Sequence, residues 1–416
     1  LVNKCTPGVH KRVTEENMRK LNKTAACGIL AAALAAGTLS GCSKAIDGTK
    51  TVATVGDEKV TLGLASYMVR DQQAQTTSYY NMLMSQYGVS GSASNVWDQK
   101  GDDGKTVGES SKDGVMTTIN QLYVLKAHAA DYDVTITDDE EKAIKEAAAE
   151  FIKDNDEKIL KKLAVSEDDI VTYLELVTIR SKMHDPMTAD VDTEVSANEK
   201  DQTRVTIVKV STEGTEKDDD GNTIDLTDEE KAQKKDLAQQ VLDKVKASDD
   251  VANADMDALA KEVDDSLSAT APAFTTAGST DDTLDEAVQD AALELKDGEV
   301  ADSVIEGDDG YYVVRLDKML DEDATENKEK TVISERKSDL FDSTLEDWVK
   351  EEKIKVKDKV WDQITVTDSV SFVYKSADSS DDTKSSDAQD STEDTSSQDN
   401  SEDTTTEDTA AEDSAE

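Results

Sequence analysis

Most apolar positions of this chain recur at the three-and-four spacing of an amphipathic helix, but two stretches alternate instead. One is Arg204-Val205-Thr206-Ile207-Val208-Lys209-Val210, and the other is Tyr311-Tyr312-Val313-Val314-Arg315-Leu316. A period of two puts successive side chains on opposite faces, so each stretch predicts a strand. The second follows Val304 and Ile305 across Gly307-Asp308-Asp309-Gly310, a composition that supplies the positive φ angles of a tight hairpin. Helical patterns lie between them. Thr227-x-x-Glu230 is a capping box ahead of Leu237, Val241 and Val245, while Met256, Leu259, Ala260 and Val263 share a second face. A third pattern begins at Thr283-x-x-Glu286 with Leu284, Ala287, Val288 and Ala291. Strand, helices and hairpin over 203–318 predict one α+β domain of roughly 115 residues.

The flanks read differently. Thr51–Gly63 is a small strand and turn feeding a helix from about Leu62, and Gly88–Gly114 is rich in the residues of loops. Val115, Ile119, Leu122 and Ala129 mark a helix face ending near Asp131. Thr137-Asp138-Asp139-Glu140 is a capping box before the stripe Ile144, Ala147, Ala148, Phe151 and Ile152. Ser166 opens a helix with Ile170, Tyr173, Leu174 and Val177 on one side, so 51–184 reads as an all-helical module. Polar residues 185–202, with Pro186, read as a linker. Beyond the α+β domain, 328–368 holds a long amphipathic helix (Val332, Leu340, Phe341, Leu345, Trp348) and a strand-like tail, Ile354–Val366. Residues 376–416 contain nothing apolar larger than alanine, so burial cannot offset chain entropy and the acidic tail is expected to be disordered.

The N-terminus carries the strongest short motif. From Met18 it reads MRKLNKTAACGILAAALAAGTLSGCSK: a basic start, then an apolar run from Ala25 to Leu39 too short for a comfortable membrane span. Leu39-Ser40-Gly41-Cys42 resembles the lipobox of bacterial lipoproteins, which implies a signal peptide over 18–41, diacylation of Cys42 and a spacer over 42–50. Residues 1–17 are not signal-like and read as a spurious or untranslated extension. Cys5 and Cys27 would be removed, leaving no disulfide framework and a lipid tether on the outer face of a membrane.

Charge and composition narrow the chemistry. A net charge of −47 argues against a nucleic-acid partner, which would demand Lys and Arg against phosphates, and otherwise favours solubility. His10, His128 and His184 are too scattered for a Ser/His/Asp arrangement or a zinc site, and the last two suit helix C-termini. Gly104-Lys105-Thr106 lacks the first glycine of a P-loop, since Gln99 stands there. Glu216-x-Asp218-x-Asp220-Gly221 half resembles a calcium loop, but its twelfth position is Thr227, so a solvated turn is expected. No metal and no cofactor is expected.

The order of these pieces resembles lipid-anchored foldases of the PrsA type and the related SurA-type chaperones. VATVGDEKVTLG, AADYDVTITDDE, LKDGEVADSV and GYYVVRL carry the resemblance, over about Thr51–Asp368. It implies a parvulin-type (PpiC-type) peptidyl-prolyl isomerase domain over 203–318, inserted between a SurA-like helical chaperone module and a C-terminal helix that completes it. It also implies a site at Thr206, Tyr312 and Leu284, the first two standing where such domains carry histidines and Leu284 where an aromatic is usual. The Gly-Gly-x-Leu-Gly stretch is missing, since Ala269–Thr280 offers only Gly278. Thr206 and Tyr312 are therefore expected side by side in one shallow groove, with Ile207 and Val313 turned into the core. A degenerate site leaves isomerase activity uncertain, because neither residue titrates near neutrality.

The resemblance further implies unfolded or nascent secreted polypeptides as partners and attachment to the membrane through Cys42. A tolerant apolar surface is expected from Tyr67, Met68, Tyr79, Tyr80, Met82, Leu83, Met84 and Tyr87, which equally suit the core of the first helix. The alternative is a non-catalytic surface lipoprotein that serves as a binding or structural module. Oligomeric state is left open, a dimer included.

Overall fold

A hydroxyl followed three residues later by an acid marks helix starts throughout this chain. Its side-chain oxygen takes one amide of the first turn, while the acid takes the amide of the hydroxyl residue. The computed structural model describes residues 34–36, 46–86, 96–215, 217, 223–277 and 284–375. Cys42, Tyr87, Asp218, Asp220, Gly221, Gly278, Thr283, the tail from Ser376 and most of the expected signal peptide lie outside the described residues.

In chain order the first strand is β1 (Leu34–Ala36), followed by the hairpin β2 (Thr51–Val55) and β3 (Glu58–Thr61). It runs directly into α1 (Leu62–Gln86). The loop expected to reach Gly114 ends earlier, because Thr106 and Glu109 form a capping box and α2 spans Val107–His128. Gly108 belongs inside this helix for a tertiary reason: a Cβ there would lie 2.1 Å from the Val366 carbonyl oxygen. Capping boxes at Thr137 and Ser166 start α3 (Asp138–Asp154) and α5 (Glu167–Met187), and α4 (Glu157–Leu163) lies between them. Pro186 sits inside the last turn of α5 rather than in a linker, and α6 (Ala197–Lys200) adds another helical turn to the expected linker.

The sheet follows. β4 (Gln202–Ser211) leads to α7 (Asp228–Lys246), α8 (Met256–Lys261), β5 (Ala269–Thr270) and β6 (Ala273–Thr275). Next come α9 (Glu286–Leu293), β7 (Ile305–Glu306) and β8 (Gly310–Lys318). Thr283 lies outside the described residues, and the side chain capping α9 is Asp285. The strand order is β5-β4-β8-β7, antiparallel, with β6 also on β4. Alternation then builds two cores. Val208, Val210, Tyr311 and Val313 pack with Val241, Leu242 and Val245 of α7 on one face. Val205, Ile207, Tyr312, Val314 and Leu316 pack with Phe274, Val288 and Ala292 on the other.

The chain then returns. α10 (Glu322–Glu351) starts earlier than its apolar pattern, capped by Asp321, and β9 (Ile354–Val356), α11 (Asp358–Trp361) and β10 (Phe372–Tyr374) follow. β9 adds to β2, and β10 pairs with β1. Phe341, Leu345, Trp361, Ile364, Val366 and Phe372 join Leu62, Ile119, Phe151 and Ile170 in one core. Exit and return meet: the Asp321 amide donates to the Gln202 carbonyl at 2.8 Å, and the Thr203 hydroxyl to the Met319 carbonyl at 2.9 Å. The architecture is α+β, with the sheet region interrupting a helical core. Among the described residues no helix is long and apolar enough to cross a membrane.

Candidate functional site

The register of β4 and β8 decides where the expected site residues lie. Thr206 stands opposite Arg315, and Tyr312 stands opposite Lys209. Thr206 therefore shares a face with Val208 and Val313, while Tyr312 shares the other with Ile207 and Val314. The expected pairing of Thr206 with Tyr312 is incorrect, and so is the expectation that Ile207 and Val313 both turn away from it. With a side-chain period of two, a one-residue offset in either strand exchanges the faces.

Thr206 has a structural partner set instead. Its hydroxyl donates to Asp317 Oδ2 at 2.6 Å and accepts from Arg315 Nη2 at 3.3 Å. Arg315, only 8% exposed, also donates to Asp317 Oδ1 at 2.8 Å and to the carbonyls of Val251 and Ala254 at 3.1 and 2.8 Å. A buried guanidinium with this many acceptors is a satisfied pin between the sheet and the turn ahead of α8.

Tyr312 and Leu284 do come together, in the core on the α9 face. The Tyr312 ring is 4% exposed, and its hydroxyl donates to Asp309 Oδ1. The other carboxylate oxygen accepts from Lys209 Nζ at 2.5 Å, and that ammonium lies 5.9 Å from the Tyr312 ring centre. Burial, reinforced by the Asp309 carboxylate, pushes the Tyr312 hydroxyl well above the usual phenol range. Lys209, then the Tyr312 hydroxyl, hold Asp309 below the usual carboxylate range. Asp285 closes the arrangement: its Oδ1 accepts from the Ala287 amide at 2.9 Å and its Oδ2 from the Asp308 amide at 2.7 Å.

The hairpin turn works by close approach rather than by positive φ. Positive φ among the described residues is confined to Gly56, Gly104, Gly298, Asp133 and Ala164. A Cβ on Gly307 would lie 2.4 Å from Asp285 Oδ2 and 2.8 Å from the Tyr312 ring. Lys209 and Asp309 were not expected as site residues. The signal available was the alternation itself, which puts Lys209 two positions beyond Ile207 on one face.

Residues 217–329 match the family model described as a PPIC-type PPIase domain. The chain carries a PPIC-type domain. Leu284, Asp309 and Tyr312 lie within the matched residues, whereas β4 with Lys209 precedes them. The chain is also similar to the foldase protein PrsA of Streptococcus pneumoniae, at 16% identity over 64% of this chain and 97% of that one, with a TM-score of 0.29. A peptidylprolyl isomerase (PrsA) of Bacillus cereus is 19% identical over 63% and 94%, TM-score 0.28. A SurA-like chaperone of Campylobacter jejuni is 10% identical over 74% and 99%, TM-score 0.25. No curated protein matches the chain.

Outside the PPIC-type domain, the expected apolar surface divides along α1. Tyr67 and Met68 are buried, and Tyr67 meets Phe151 edge-on at 5.4 Å. Tyr79, Met82 and Met84 are 44%, 60% and 38% exposed. His128 and His184 both rest on α10, the first stacked on Trp348 at 4.1 Å and the second 5.5 Å from Phe341. Among the described residues no group of three His, Cys, Asp or Glu could hold a metal.

Proposed function

We propose that the chain is an extracytoplasmic foldase or chaperone for secreted polypeptides, tethered through a lipidated Cys42. In this reading a helical module over 51–184, completed by 322–368, carries an inserted PPIC-type domain over 203–318. The PPIC-type match carries the reading. Its site is altered: Leu284 and Tyr312 remain as the residues lining it, Thr206 does not belong to it, and Lys209 and Asp309 replace that position. Prolyl isomerisation needs no nucleophile, only an environment that favours the twisted bond over a barrier of about 18–20 kcal/mol. A phenol tied to a carboxylate and buried in the sheet core leaves little room for a strained prolyl bond. That observation favours holding of clients over efficient catalysis, with the exposed Tyr79, Met82 and Met84 as adaptable contacts.

The test is refolding of several unfolded clients with the purified chain at equimolar ratio, followed by light scattering, beside a proline-switch assay on a tetrapeptide. Aggregation is expected to fall while isomerisation stays far below that of an active parvulin. Unchanged scattering across all clients sinks the chaperone reading. A rate equal to an active parvulin shows that the altered site is competent.

A further inference from the structure

β1 is built from residues that lipobox processing removes. Leu34, Ala35 and Ala36 belong to the apolar run ahead of Cys42, yet they fill a formed slot in the folded chain. They pair antiparallel with β10 in the register Leu34 with Tyr374, Ala35 with Val373 and Ala36 with Phe372. The Leu34 amide donates to Asn155 Oδ1 at 2.8 Å, and its side chain, 3% exposed, joins the helical core. α4 packs against the same strand. Asn155 is fixed in turn, since its Nδ2 donates to the Phe151 carbonyl at 2.8 Å.

The partner strand is held without β1. Phe372 is buried with the Arg70 guanidinium 5.0 Å from its ring centre. The Tyr374 hydroxyl donates to Asp71 Oδ1 at 3.0 Å, and Gln73 Nε2 donates to the Val370 carbonyl at 2.7 Å. Cleavage before Cys42 would therefore leave β10 in place with an open backbone edge. It would also leave Asn155 Oδ1 without its donor and a leucine-sized gap in the core. An open edge invites a new strand, and a buried unsatisfied acceptor is costly. One extended peptide satisfies both by adding as a strand.

We propose that in the processed chain this slot binds an extended apolar segment of a client polypeptide, with a branched aliphatic residue at the Leu34 position followed by small residues. The proposal rests on removal of residues through Gly41. It also makes the precursor self-blocked, because its own segment fills the slot until processing.

The experiment uses the protein purified from membranes, with intact mass defining its first residue, and the full-length precursor beside it. The probe is a lysine-flanked, fluorescent peptide of the sequence Gly28–Leu39, followed by anisotropy. The processed chain is expected to bind it saturably and about tenfold or more tighter than the precursor, the equivalent of one or two buried hydrogen bonds with their packing. Because the Leu34 amide points to Asn155, away from β10, the next amide points towards β10. An Ala35→Pro peptide loses that donor and should bind about tenfold more weakly. Asn155→Ala should weaken the original peptide several-fold, and the proline peptide tests the same slot without altering the protein. Equal binding to processed and precursor chains, or to the original and proline peptides, overturns the slot. A mass showing that residues 34–36 are retained overturns the processing instead, and β1 is then a permanent strand.

Discussion

Tyr312 keeps its proton because it is buried and faces the Asp309 carboxylate. Its hydroxyl gives a hydrogen bond to Asp309, and Lys209 balances that carboxylate from the other strand. Tyr312→Phe should cost about 1 kcal/mol in urea denaturation, since one hydrogen bond goes but Asp309 keeps its ammonium. The pH dependence follows from the lowered Asp309 carboxyl. Its folded pKa lies below the ordinary value of about 3.9, so its stabilisation is complete above that value and disappears as pH falls through the folded one. The gap in stability between wild type and Asp309→Asn should be constant from neutrality to about pH 5 and shrink towards pH 2. A gap that stays constant into acid would mean that the carboxylate contributes nothing through its charge. At this scale residue identities were legible in the sequence, and partners across the sheet were not. Nothing local to Thr206 or Tyr312 says which residue of the other strand stands opposite.

Helix starts were the most legible elements, because a capping box is written within four residues. Thr137, Ser166 and Thr227 cap as their sequences require. The start of α2 was hidden by glycines that read as loop, one of which, Gly108, serves close packing against Val366. α10 shows how unequal the contacts along one helix are. Phe341 and Leu345 are buried in the helical core, while Lys200 and Glu329 meet at 2.9 Å near the surface. Phe341→Ala should destabilise by about 3–5 kcal/mol through lost burial and a cavity. Glu329→Ala should change stability by about 1 kcal/mol or less, as exposed ion pairs do. Equal effects in denaturant melts would mean that α10 is held by its surface charges rather than by its apolar face.

Across the whole molecule, the sheet region leaves and re-enters the helical core at one place. The Asp321 amide reaches the Gln202 carbonyl, and Thr203 reaches Met319, so the ends of the insertion already touch. Replacing 204–318 with a short glycine linker should leave the helical core folded, with a cooperative thermal transition by circular dichroism. Closing so short a gap adds little loop entropy. Loss of that transition would show that the helical core depends on the sheet region for its stability. The sequence by itself determined the capped helix starts at Thr137, Ser166 and Thr227 and the alternating strands β4 and β8, because periodicity and capping act over a few residues. Only the tertiary structure decided which residues face one another: strand register, the approach of Gly108 and Gly307, the seat of Leu34 against Asn155, and the return of α10 to the first core. Those are set by packing between segments far apart in the chain, and no local pattern encodes the distance between them.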